Sequence, residues 1–245
     1  DRLEQGGRLT VHFAEGASPA QSNGQPLSPV YETDDLAVFE KPPGLPVHPS
    51  LRHPLDTLAN SAAAYYQQRG QAMAFRPIYR LDRDTSGLLL TAKHRQAAYE
   101  LIQSVEKEYA AILCGRLPMD RPDGTGQIEL PIGRVSDSLI LREVSPTGKP
   151  AITRYRILAQ NDRYTWVSLR LLTGRTHQIR VHFAHLGYPL AGDTLYGSDQ
   201  THIRRQALHC KTVRFRLPFI GTPVLLDSPY PADMQALLAG QGFCP

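Results

Sequence analysis

Residues 79–87 read Tyr-Arg-Leu-Asp-Arg-Asp-Thr-Ser-Gly, and an apolar run at 88–90 follows directly. Two arginines and two carboxylates therefore enter a segment that belongs in a core. Charge next to a buried strand is costly unless each group is paired and hydrogen-bonded. Either Asp84, Thr85 and Ser86 close a turn by satisfying backbone amides, or the turn presents one of Arg80, Asp82, Arg83 and Asp84 for use.

The remaining composition narrows the partners. A chain of 245 residues with 41% hydrophobic and 20% charged residues can build one large domain or two small ones. No apolar run approaches the ~20 residues that span a bilayer, and no signal-peptide pattern opens the chain, so no membrane partner is expected. Net charge is +4, with a pI near 9.0, which permits a polyanionic partner. Cys114, Cys210 and Cys244 are scattered without metal-type spacing, pointing to a reducing cytoplasm.

Residues 14–29, rich in Ala, Ser, Pro, Gly and Gln, read as a linker or extended arm, with the ordered domain starting near Val30. A strand at 36–40 runs into the rigid turn Lys41-Pro42-Pro43-Gly44. Helical spacing predicts helices over 56–69 and 95–106. Further strands are expected at 88–91 and 109–114, hairpins around 128–130 and 139–141, and alternating strands at 152–158 and 165–172. A helix with Ile179, Phe183 and Leu186 on one face stops at Gly187. A strand over 207–217 and a helix over 232–238 complete the chain. The class is α+β: a mixed, mostly antiparallel sheet core flanked by helices.

Asp82 and Asp84 resemble the acid–base pair of a glycoside hydrolase, but the flanking arginines favour the ionised form of a carboxylate, which suits a nucleophile or base. Gly174 to Arg180 follows a strand and opens a helix, so it is either a helix cap with a surface arginine or an anion site made of its amides and Arg175, for a phosphate or for a carboxylate such as Asp82. The spacings of His177, His182 and His185 do not fit a helical zinc pair, and no metal is expected. Tyr109, among small neighbours, is either a core or strand-edge tyrosine or a ring left accessible to stack on a base. Lys41, His48, Arg52, Arg69, Arg76, Lys93 and Lys149 are candidates for phosphate contact or for plain solubility. Walker, Gly-x-Gly-x-x-Gly and Gly-x-Ser-x-Gly patterns do not occur.

Together these segments resemble the RluA-type pseudouridine synthases. The resemblance rests on 41–49 (Lys-Pro-Pro-Gly-Leu-Pro-Val-His-Pro), 80–88, Lys107-Glu108-Tyr109 with Gly115, Gly148 to Ala151 with Thr153 and Tyr155, 174–182, 187–193 with Tyr196-Gly197, and 206–209. It covers about residues 30–240, in order. The position before Arg80, often His in that family, is Tyr79 here. Larger members carry an N-terminal S4-type domain; residues 1–29 are then an arm or the remnant of such an RNA-binding domain, with 11–13 its trailing strand, and 30–245 the catalytic domain.

The resemblance implies isomerisation of uridine to pseudouridine in RNA, with a ribosomal target (23S rRNA) ahead of tRNA. It implies base flipping, no cofactor and no metal; a non-catalytic RNA-binding protein is the alternative. It assigns Asp82 as the essential carboxylate, Arg175 as its charge partner and Tyr109 as the stacking ring. Ile179 becomes a pocket wall and Arg80 the group entering the vacated stack. Arg83, His177, Lys41 and His48 are further substrate contacts, on a monomer.

Overall fold

The computed structural model describes residues 20–71, 73–119 and 121–244; the expected trailing strand at 11–13 lies outside them. Of the expected arm, 20–29 lies against the first helix, α1 (Leu58–Gln68). Asn60 Nδ2 donates to Gln21 O at 2.7 Å and Asn23 Nδ2 to Ser61 Oγ at 3.1 Å.

β4 (Ser86–Ala92) is buried at every position. Two neighbours explain this. β2 (Leu36–Lys41) pairs with it antiparallel, and β11 (Leu208–Arg216) pairs with it parallel. Gly87 makes the second approach possible. Its φ is +109°, and a Cβ there would stand 2.3 Å from Cys210 O, so only glycine fits.

From β11 the sheet continues antiparallel through β5 (Glu106–Cys114), β10 (Tyr164–Leu171), β9 (Ile152–Gln160) and β6 (Thr125–Glu129). Beyond β2 lies β1 (Tyr31–Glu32). β3 (Arg76–Pro77) joins β4, and β12 (Pro223–Asp227) joins β11. The result is one ten-stranded, mostly antiparallel sheet, with a separate hairpin of β7 (Ile132–Arg134) and β8 (Arg142–Val144). The expected mixed α+β class is what forms. The piece at 139–141 is not a strand: it is the loop between β7 and β8, where Leu139 and Ile140 are exposed. β12 was not expected; three of its five residues are exposed, none is buried, and it starts at a proline.

Strand alternation gives the sheet two working faces. On one, Tyr109, Val167 and Leu169 pack with Tyr155 and with Ile179 and Phe183 of α3 (Gln178–His185). On the other, Ile112 and Trp166 pack with Met234, Leu237 and Leu238 of α4 (Ala232–Gly240). α2 (Arg95–Ser104) covers β4 and β11. Among the described residues no helix is long and apolar enough to cross a membrane.

Candidate active site

The loop before β4 is held from below. Lys41 is fully buried, and its Nζ donates to Pro42 O (2.9 Å), Leu45 O (2.9 Å) and Arg83 O (2.8 Å). Three carbonyls match the three donors of an ammonium. Burial pulls the pKa of Lys41 down to about 7, against Asp84 and Asp82, which raise it. Lys41 is therefore a tie between the first turn and the 80–85 loop. The phosphate contact expected of it is excluded, because no donor is free and no surface is exposed.

Arg205 holds the next carbonyl, donating from Nη1 to Asp84 O at 3.1 Å while its fork grips Asp233 at 2.6 and 2.9 Å. Gln206 Nε2 donates to Thr85 Oγ1 at 3.3 Å, and Ser86 Oγ meets His209 Nδ1 at 2.9 Å. Thr85 N closes the turn on Asp82 O at 3.1 Å. The Asp84 carboxylate faces the Arg83 guanidinium at 3.0 Å. Backbone closure is thus as expected, but the Asp84, Thr85 and Ser86 side chains anchor to other side chains of the fold rather than to local amides.

Asp82, at the tip, is half-buried. Arg180 Nη1 lies 3.3 Å from its carboxylate, and His177 Nε2 lies 3.9 Å from it. Arg180 is 6% exposed and grips Asp193, 2% exposed, through Nε (2.6 Å) and Nη2 (2.8 Å). A bidentate pair of this kind fixes a guanidinium in direction as well as charge. Arg180 is also 5.0 Å from the ring centre of Tyr196.

His177 precedes α3 in a left-handed conformation, φ 58°, uncommon for a residue with a Cβ. Its Nδ1 bonds the Tyr196 hydroxyl at 2.8 Å. Burial lowers its pKa, with Arg180 acting in the same sense and Asp82 against it. The preceding loop is fixed by Gln178, whose side chain accepts from Arg175 N at 2.9 Å and donates to Ile152 O at 3.0 Å.

Arg175 is not the partner of Asp82. Its Nε donates to Pro150 O at 2.9 Å. The reversal at His177 sends Arg175 to the rim, while Arg180, one turn into α3, points inward. Both arginines still line the recess that holds Asp82, together with Arg80, Tyr109 and Ile179. Tyr109, 5% exposed, and Ile179, 3% exposed, form its apolar floor; Tyr109 is more enclosed than its small neighbours suggest. Burial, then Cys210 and Asp82, raise the phenol's pKa well above its ordinary value, so it is a neutral ring. Outside the recess a groove of about 790 Å³ runs past His48, Arg80, Arg83 and Arg204.

Other expected contacts have local duties. Tyr79 donates to Leu88 O at 2.8 Å, so the family's usual imidazole is replaced by a buttress of β4. Lys93 pairs with Glu32 at 2.7 Å, and Arg69 stacks on Tyr65 at 4.2 Å. His182 is buried between Thr153 Oγ1 and Leu130 O, each at 2.9 Å. Among the described residues no group of three His, Cys, Asp or Glu is placed to hold a metal ion.

Residues 35–185 match the RNA pseudouridylate synthase family profile. An uncharacterised RNA pseudouridine synthase of Bacillus subtilis is 40% identical over 247 residues, spanning 98% of this chain and 86% of the relative. Ribosomal large subunit pseudouridine synthase D of Vibrio parahaemolyticus is 38% identical over 231 residues, spanning 86% of this chain and 70% of the relative. The solved structure of human RNA pseudouridylate synthase domain containing 1 superposes with a TM-score of 0.67 at 27% identity, covering 85% of each chain. A recess pairing a tethered aspartate with a buried tyrosine thus sits in a chain that belongs to the RNA pseudouridylate synthase family, whose members are isomerases.

Proposed function

We propose that Asp82 is the essential carboxylate for converting a uridine in large-subunit ribosomal RNA to pseudouridine. The observation that carries this reading is the Asp82–Arg180–Asp193 arrangement beside Tyr109. It holds one carboxylate, on an otherwise anchored loop, at the mouth of an apolar recess. In the reaction the bond from ribose C1′ to N1 breaks, the base turns, a bond forms from C1′ to C5, and the proton lost from C5 is balanced by one taken up at N1. Attack by Asp82 on C1′, its addition to the ring and its removal of a ribose proton all start from that position.

The recess takes one nucleotide, extruded from its stack. Tyr109 and Ile179 receive the base. The exposed Arg80 fills the vacated stack, and Arg83, Arg175 and His48 meet the flanking phosphates and sugars. His177 holds the Asp82 side of the recess. A ribosomal target is favoured by the relatives named ribosomal large subunit pseudouridine synthase D; it implies a cytoplasmic enzyme, acting here as a monomer.

The test uses RNA tritiated at uridine C5. Wild-type protein releases tritium, whereas Asp82→Asn loses at least about 10³-fold in rate, as expected when a catalytic side chain is removed, while its RNA affinity stays within threefold. Ready turnover by folded Asp82→Asn overturns the assignment. Mapping pseudouridine in RNA from a deletion strain decides the target, with loss from tRNA alone counting against the ribosomal one.

A further inference from the structure

On the face of the sheet away from Asp82 lies a second cavity, of about 610 Å³, lined by Trp166, Tyr230, Glu108, Arg156 and Lys211 among others. Trp166 is 7% exposed, and its indole Nε1 is buried with no acceptor at hydrogen-bonding geometry. Tyr230 packs edge-on to the indole at 5.7 Å, and its hydroxyl is the group that interacts with the indole N–H.

The acids of this cavity are already engaged. Glu108 accepts from Ser168 Oγ and faces Arg170 at 3.8 Å. Asp227 takes Thr212 Oγ1 at 2.9 Å together with Lys211. Two of the nearby arginines are in the opposite condition. The cavity opens onto a depression lined by Arg154, Arg156 and Arg170. Arg154 stands directly opposite Arg170 across the β9–β10 ladder, and like charges so placed are destabilising. Among the described residues neither Arg154 nor Arg156 has a carboxylate partner; Arg154 bonds only the neutral Gln127. An aromatic-lined pocket continuous with unneutralised guanidinium groups is the chemistry that takes a base and its phosphates.

We propose that this opposite face binds a single-stranded segment of the RNA substrate. One base enters the cavity against the half-buried Tyr230 ring beside Trp166, and the adjoining phosphates lie on Arg154, Arg156 and Arg170. The proposal rests on RNA being the substrate and adds a binding site remote from the reacting nucleotide.

Trp166 is the only tryptophan in the chain, so its fluorescence reports on this cavity. The experiment titrates a uridine hexaribonucleotide, and separately uridine 5′-monophosphate, into full-length Asp82→Asn protein. The hexamer is expected to quench Trp166 saturably. The mononucleotide should bind at least tenfold more weakly. Replacing Arg154, Arg156 and Arg170 together by Ala should weaken the hexamer at least tenfold and flatten the salt dependence, by roughly one counterion for each phosphate left without its arginine. All three arginines lie on strand surfaces, and circular dichroism verifies the fold. No quenching by the hexamer, quenching that survives the triple replacement, or equal affinity for hexamer and mononucleotide each overturns the proposal. Because the titration uses protein without turnover, its failure is separate from failure of tritium release by the wild type.

Discussion

Arg180 and Asp82 meet through a single guanidinium arm at 3.3 Å, and the rest of the guanidinium is committed to Asp193. The carboxylate proposed to act on the uridine is thus held weakly by a group that is itself held strongly. Replacing Arg180 by Ala leaves Asp193 buried and unpaired, a change of about 3–5 kcal/mol for a buried pair. Arg180→Lys keeps the charge but loses the fork, so it is expected to fold with a smaller loss and to release tritium at least about 10²-fold more slowly, through misplacement of Asp82. Arg175→Ala should show normal urea stability, since its hydrogen bond is to one exposed carbonyl. Equal stability of Arg180→Ala and Arg175→Ala in urea would contradict this division.

Lys41 supports a second prediction. Lys41→Met keeps the stem and removes the donors of Pro42 O, Leu45 O and Arg83 O. Unsatisfied carbonyls near a buried loop should destabilise the fold by about 2–5 kcal/mol. Turnover should fall even where the protein is folded, because Arg83 O lies one residue from Asp82. An unchanged urea midpoint, with wild-type tritium release, would show that the tie is dispensable.

Gly87 gives the clearest steric test. Any Cβ at φ +109° meets the Cys210 backbone, 2.3 Å from O and 2.7 Å from N. Gly87→Ala must either part β4 from β11 or strain both, at about 3 kcal/mol or more. The expected outcome is a large drop in the urea midpoint or insoluble protein. Gly174→Ala, with open space around its Cβ, is the control and should behave as wild type.

What the sequence made legible follows from where the physics is local. The run at 88–90 had to be buried, and the alternation in β9 and β10 had to face two environments, so these elements could be read. β1 and β3, each two residues long, carry no periodicity. The partner of Asp82 was hidden for a different reason. Arg175 and Arg180 flank the same helix start, and only the left-handed backbone of His177 decides which one turns inward. One signal did exist: Arg180 lies between Ile179 and Val181 in a buried stretch, so it needed a carboxylate, and Asp193 is the one it finds. Lys41 gave a similar hint, ending a strand whose other residues are almost all buried. The Trp166 cavity joins residues from five strands, the loop after β12 and α4, a combination no local pattern announces.

His209 makes stability depend on pH. It is fully buried beneath β4, with Nδ1 on Ser86 Oγ at 2.9 Å and Nε2 on Ser228 Oγ at 3.0 Å, and Ser228 in turn donates to Glu40 at 2.8 Å. Burial first, then Arg205 and Lys211, lower its pKa from 6.5 to about 4. The folded state therefore resists a proton that the unfolded chain accepts. Above pH 6.5 both states are neutral at this site and its contribution is fully present. Between pH 6.5 and about 4 the unfolded chain binds the proton first, so stability falls as pH falls, by at most about 3 kcal/mol over that window. Urea unfolding of wild type and His209→Gln at several pH values measures this. The wild type should lose stability faster across the window, and the difference between the two proteins should shrink as the pH is lowered. Parallel curves would mean that His209 does not titrate on unfolding.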